Sequence, residues 1–297
     1  MDNRLLQGVF PPIPTPFDAA GAVDREALRR NLQWWNRHDL SGYVVLGSNG
    51  ESVHLTEAEK LQMIADVRAE APDDHLIIAG TALLSTEATI DLTERAAEAG
   101  ADAALILPPF YYRGQMTSAA LVEHFGAVAE ASPIPIVLYN MPANTGIDME
   151  ASLVIELSRY ANIVGIKDSA GNVAKLAEVR HSVDAGFAVL AGSAGFFLPA
   201  LAVGADGGIL ALANIGPSIC IEIFQASRRG AWDEARALQN RVVHANAAVT
   251  RRWGVPGLKA AMDMLGLTGG ASRRPLPPLS DEARAELSEI LTDAGIL

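Results

Sequence analysis

The sequence predicts an α/β fold, a (β/α)8 TIM barrel with additional C-terminal helices, from three observations. Short apolar runs, the mark of strands buried on both faces, alternate with helical patterns through the first two thirds of the chain. Eight such runs occur, each followed by a helical segment, at a spacing of roughly 20–35 residues. No G-x-G-x-x-G follows a strand, which disfavours an open, doubly wound sheet. A barrel of 297 residues can be one domain. The whole chain, 1–297, therefore reads as a single domain, with the barrel over about 1–215 and a helical extension over about 216–297.

Val9 to Pro14 opens the chain as a short, proline-rich extended segment. Asp24 caps a helix to about His38, and Tyr43 to Leu46 is a buried strand. Thr56 and Glu59 form a capping box for a helix to about Glu70. Leu76 to Ala79 is the third strand, and Thr86 to Ala99 a helix stopped by Gly100. Ala103 to Leu107 is the fourth strand, followed by a helix from Thr117 to about Ala131. Ile134 to Tyr139 is the fifth strand, and Asp148 starts a helix to about Arg159. Ile163 to Ile166 is the sixth; Lys167 stands where it should end, and Asp168 and Ser169 offer capping side chains. Asn172 to Val183 is helical, Phe187 to Ala191 the seventh strand, Phe196 to Val203 helical and Gly207 to Leu210 the eighth strand. Beyond Ile215 the pattern is purely helical: Ser218 to Arg229, Trp232 to Thr250, Pro256 to Leu265 and Asp281 to Leu291. Gly269 to Pro278, with Arg273-Arg274 and three prolines, is an extended link.

The net charge of -12 implies no basic face and so argues against nucleic acid or membrane surfaces as partners. No apolar run approaches the ~20 residues of a membrane span. Met1-Asp2-Asn3-Arg4 lacks a signal-peptide layout, and the single cysteine, Cys220, suits a reducing compartment, so a cytoplasmic protein is expected. The six histidines show no zinc-ligand spacing and no phosphate-binding P-loop is present; no metal and no cofactor are expected.

In such barrels the site lies at the carboxyl ends of the strands. There stand Gly47 to Ser52 after strand two, Tyr111 and Tyr112 after four, Tyr139-Asn140-Met141-Pro142 at the end of five, Lys167 at the end of six and Gly192 to Gly195 after seven. A free lysine titrates near ~10.4. A pocket that disfavours the ammonium lets such an amine attack a ketone and form an imine. The alternative for Lys167 is a surface lysine paired with a neighbour. Gly47 to Ser52 can wrap a carboxylate with backbone and side-chain donors, or be an ordinary polar loop. Tyr139 can shuttle a proton, or simply pack with its hydroxyl satisfied. Glycines after strands seven and eight invite a phosphate-binding isomerase, but no basic residue accompanies them. Lysine, tyrosine and carboxylate-holding turn together describe an aldolase or lyase acting on a 2-oxo acid.

These residues resemble the dihydrodipicolinate synthase / N-acetylneuraminate lyase family over nearly the whole chain. The matching stretches are Gly47-Ser48-Asn49-Gly50-Glu51, Tyr139-Asn140-Met141-Pro142, Gly165-Ile166-Lys167-Asp168-Ser169 and the extra helices. The resemblance implies Lys167 as the Schiff-base residue, Tyr139 as the proton shuttle, Ser48 and Asn49 on the pyruvoyl carboxylate, and Tyr111 reaching a neighbouring subunit of a homotetramer. Within the family, Tyr111 to Gly114, Pro142 to Gly146, Leu190 to Gly195 and Asn246 to Arg252 are most similar to mitochondrial-type 4-hydroxy-2-oxoglutarate aldolases. That likeness puts Ser169 and Ser193 in the pocket. True dihydrodipicolinate synthases usually carry two threonines at Ser48 and Asn49 and an arginine at Asn144. The expectation is a class I aldolase that converts 4-hydroxy-2-oxoglutarate to pyruvate and glyoxylate. The alternatives are 4-hydroxy-tetrahydrodipicolinate synthase, cleavage of another 2-oxo sugar acid, and a non-catalytic 2-oxo-acid-binding protein.

Overall fold

A computed structural model describes residues 6–297; the reading of Met1 to Arg4 lies outside them. Among the described residues eight parallel strands form one sheet: β1 (Gly8–Phe10), β2 (Gly42–Val45), β3 (Leu76–Gly80), β4 (Ala103–Ile106), β5 (Ile136–Asn140), β6 (Ile163–Asp168), β7 (Ala188–Ala191) and β8 (Gly207–Ile209). Each strand pairs with its neighbour in sequence from β2 to β8, and β8 pairs with β1. Between β1 and β2 the Val44 N–H donates to Pro11 O at 3.0 Å and the Ile13 N–H to Val44 O at 3.0 Å. The ladder therefore returns to its start, and the sheet is the predicted (β/α)8 barrel.

Helices α1 (Arg25–Trp35), α2 (Glu57–Glu70), α3 (Thr86–Glu98), α4 (Ser118–Ala131), α5 (Pro142–Thr145), α6 (Ala151–Leu157), α7 (Val173–Ser182) and α8 (Phe197–Ala202) lie between the strands. Helices α9 (Pro217–Arg228), α10 (Trp232–Ala247), α11 (Gly254–Met264) and α12 (Asp281–Asp293) follow β8, and a π-helical turn, Ala248–Arg252, joins α10 to α11. The starts of several helices follow local chemistry. Asp24, Thr56, Ser85, Thr117 and Ser280 each accept a first-turn N–H, and Thr56 with Glu59 closes the expected capping box.

Alternation along the strands divides the core in two. Phe10, Val44, Ile78, Leu105, Val137 and Ile209 fill the barrel, while their strand neighbours pack outward against the helices.

Three expectations need correction. Asp148 does not start a helix; α6 begins at Ala151, because the Asp148 carboxylate binds Lys175 at 2.6 Å and Asn140 at 2.6 Å instead. Strand β6 does not end at Lys167 but runs one residue further, to Asp168. Neither Asp168 nor Ser169 caps α7: Asp168 turns the chain by accepting the Ala170 N–H at 2.8 Å, and the cap is Asn172, which accepts the Lys175 N–H at 3.1 Å.

Candidate active site

The position of Lys167 depends on a backbone irregularity. On β5, Val137 and Tyr139 point into the barrel and Ile136 and Leu138 outward. Strict alternation from Ile163, an outward residue, would send Lys167 outward as well. The register shifts instead: Ile136 pairs with Ile163, but Val137 pairs with Gly165 and Tyr139 with Lys167. Val164 is the extra residue of a β-bulge, which inverts the faces beyond it. Lys167 thus enters the barrel beside Tyr139, its Nζ 4.0 Å from the centre of the phenol ring. Lys167 is 3% exposed and Tyr139 4%.

Ser48, Lys167 and Ser169 are the side chains that act on the Tyr139 hydroxyl. Burial by itself would push the phenol up, but the Lys167 ammonium and these neighbours outweigh it and hold the phenol below its ordinary range. Ser169 stays in the cluster through its Oγ, 3.5 Å from Gly192 O, and the Gly192 N–H donates to Asp168 O at 2.7 Å. A Cβ on Gly192 would lie 2.0 Å from Ser169 Oγ, so only glycine leaves room for that hydroxyl. Ser193, the next residue, receives the Asn246 Nδ2 donor at 3.1 Å from α10.

The turn after β2 is bracketed by two left-handed residues, Leu46 at φ 61° and Glu51 at φ 54°. A leucine rarely adopts this conformation, and such strain gathers where a loop is held for a ligand. Gly80 permits it on the neighbouring strand, since a Cβ there would meet Leu46 O at 2.2 Å. Between the brackets, Ser48–Gly50 forms a 3-10 turn that aims Ser48 at Tyr139. The Asn49 Nδ2 beside it is buried with no acceptor among the described residues, leaving a donor for a ligand oxygen.

Tyr111 and Asn144 stand apart from this cluster. Tyr111 is 71% exposed in the loop after β4, stacked edge-on against Tyr112 at 5.0 Å. Asn144 is exposed on α5.

Set beside known proteins, residues 5–294 match the profile of the dihydrodipicolinate synthetase family. The chain belongs to this family. A 4-hydroxy-tetrahydrodipicolinate synthase of Methanothrix thermoacetophila is 38% identical over 97% of each chain. A probable 4-hydroxy-2-oxoglutarate aldolase, mitochondrial, of Emericella nidulans is 36% identical over 99% of this chain and 97% of its own. The crystal structure of a chloride-inhibited dihydrodipicolinate synthase from Acinetobacter baumannii, complexed with pyruvate, superposes with a TM-score of 0.94 at 32% identity, over 98% of this chain and 100% of that one. As a family member the protein is an enzyme, a pyruvate-dependent carbon–carbon lyase.

Sequence reasoning missed the groups that hold the family's motifs in place. Behind the barrel wall, Asn140 Nδ2 donates to Asp168 Oδ2 at 2.8 Å and Asn140 Oδ1 accepts the Met149 N–H at 2.9 Å. Lys175 Nζ lies 2.8 Å from Asp168 and 2.6 Å from Asp148. Burial works to lower the Lys175 ammonium, but the two carboxylates win and raise it. Burial likewise works to raise Asp148, and Lys175 and Asn140 bring it down. The available signal was positional: Asn140 and Asp168 each follow a candidate site residue on paired strands.

A cavity of about 260 Å³ opens from Tyr139 past Gly47, Leu107 and Phe110 toward Ser52 and Lys60. A larger concavity, about 770 Å³, lies between Tyr111, Tyr112, Leu84 and His124, and Lys167 is not among the residues that bound it. Lys167 bounds neither; the smaller one is tied to the cluster by Tyr139, which lines it. Among the described residues no three His, Cys, Asp or Glu side chains gather as a metal-binding group, and no helix is long and apolar enough to cross a membrane.

Proposed function

We propose that this lyase is a class I aldolase that reversibly cleaves 4-hydroxy-2-oxoglutarate to pyruvate and glyoxylate. The observation that carries the reading is the register-matched Lys167–Tyr139 pair inside the barrel, with a hydroxylated, donor-rich turn beside it. Lys167 Nζ attacks the C2 ketone, and loss of water gives a protonated imine. Ser48 and Asn49 hold the C1 carboxylate. Tyr139 takes the proton from the C4 hydroxyl as the C3–C4 bond breaks and glyoxylate departs. The electron pair of that bond passes into the imine, leaving an enamine. Protonation at C3 and attack by water then release pyruvate and restore the amine. Ser169 and Ser193 are neutral donors for the far end of the substrate, with Asn144 at the rim.

The test is reductive trapping by borohydride in the presence of pyruvate, followed by peptide mapping. An adduct on Lys167 is expected, and an adduct elsewhere would refute the assignment.

A second reading, condensation of pyruvate with aspartate semialdehyde, is supported by the name of the Methanothrix relative. Against it stands Asn144, where the resemblance places an arginine for the semialdehyde carboxylate. A panel of aldehydes assayed with pyruvate separates the two, glyoxylate being the preferred acceptor under the first.

The working form we propose is a homotetramer in which Tyr111 of one subunit reaches the Tyr139 relay of its neighbour. Val53, Leu84, Tyr111 and Tyr112 support it: all four are large, exposed and apolar, and they border the two concavities. Patches of this kind mark association surfaces. A cytoplasmic setting agrees with the single, buried, unpaired Cys220.

A further inference from the structure

Glu51 closes the turn that carries Ser48 and Asn49, and its side chain leaves the barrel mouth for the C-terminal helices. Its carboxylate lies 2.6 Å from Lys259 Nζ of α11, and both side chains are 1% exposed. The other carboxylate oxygen accepts the Arg273 backbone N–H at 2.9 Å and faces His54 Nδ1 at 3.1 Å. Lys259 also donates to Ala271 O at 3.1 Å and sits 4.4 Å above the Phe17 ring. Next to Glu51, Gly50 O accepts the Thr15 hydroxyl at 2.7 Å. A buried ion pair is weak support for stability as such, and its best-attested use is to specify one arrangement among several. Here the arrangement is a left-handed Glu51 at the end of a strained turn.

We propose that Glu51 and Lys259 are positioning residues, a buried pair that sets the Ser48–Asn49 donors at the carboxylate position and makes helix α11 part of the active site. The inference rests on the reading of that turn as the carboxylate holder. It predicts that breaking the pair weakens ketones with a carboxylate and spares those without one. The pair touches neither Lys167 nor Tyr139, so the amine keeps its chemistry.

The experiment is borohydride trapping at Lys167 over a range of pyruvate, and separately of acetone, which has no carboxylate. Glu51→Gln keeps an acceptor for the Arg273 N–H but leaves Lys259 uncompensated. Its half-saturating pyruvate concentration is expected to rise by roughly tenfold or more, with acetone trapping unchanged within about twofold. Glu51→Gln with Lys259→Met removes the buried charge altogether. It is expected to recover thermal stability without recovering pyruvate affinity, and it serves alone if the single variant does not fold. Equal weakening of pyruvate and acetone, or pyruvate affinity returning together with stability, overturns the proposal. Ser48→Ala separates the two layers of the argument. If it weakens pyruvate while Glu51→Gln does not, the positioning role falls alone. If it leaves pyruvate unaffected, the carboxylate-holding turn falls and takes the inference with it.

Discussion

Tyr139 is buried beside the Lys167 ammonium and the hydroxyls of Ser48 and Ser169, so its phenol ionises more readily than a free one. A base that loses its proton below the ordinary phenol range of ~10 gains strength as pH rises through that lowered value. The rate of cleavage is therefore expected to climb with pH on a limb below an ordinary tyrosine's, and Tyr139→Phe to abolish that limb. The same variant should lose about 10²–10⁴ in kcat, while borohydride still traps pyruvate on Lys167. Loss of trapping together with turnover would mean that the phenol serves imine formation rather than bond cleavage. The two positions were legible because each stands near the carboxyl end of an apolar strand, where barrel sites lie. Lys175 and Lys259 were not, because a lysine buried by distant carboxylates has the same local sequence as an exposed one.

At the scale of elements, β5 and β6 are clasped twice, once inside the barrel by Tyr139 and Lys167 and once outside by Asn140 and Asp168. The outer clasp is a charge network buried at Asp168 and Lys175 and open to water at Asp148. Asp168→Ala should cost about 3–5 kcal/mol in urea denaturation, because it leaves Lys175 buried against a single carboxylate. A loss within experimental error would show that Asp148 alone satisfies the lysine. Helix starts set by neighbouring residues, such as the Thr56–Glu59 box, were readable in advance. The start of α6 was not, since the Asp148 side chain is occupied by a residue 27 positions away.

At the scale of the molecule, the C-terminal segment is strapped back onto the first half of the chain. Arg273 hydrogen-bonds Glu59 at 2.5 Å and lies 4.3 Å from the Phe17 ring, which Lys259 also faces. The Arg273 bond, assisted by the helix cap at Thr56, holds the Glu59 carboxyl at about 2 against an ordinary 4.5. A carboxyl depressed on folding contributes stability that is fully present above about 4.5 and is lost as pH falls toward about 2. Thermal unfolding of Glu59→Gln should accordingly depend less on pH across that window; an unchanged slope would place the acid sensitivity elsewhere. Tyr111, exposed on its own subunit, is tested at the same scale. Tyr111→Phe should lower kcat with the sedimentation coefficient unaltered, whereas a monomer at assay concentration would leave the residue without its proposed target.

By itself the sequence determined the barrel, its side-chain-capped helix starts and the placing of Tyr139 and Lys167 at the carboxyl ends of paired strands, because strand periodicity, capping and polar groups at strand ends act within a few residues. Only the tertiary structure decided that Lys167 faces the interior. That outcome depends on the bulge at Val164, which exists only because β6 pairs with β5 out of step at Ile136. Pairing between strands is a long-range choice, and one residue of slip exchanges the two faces of a strand.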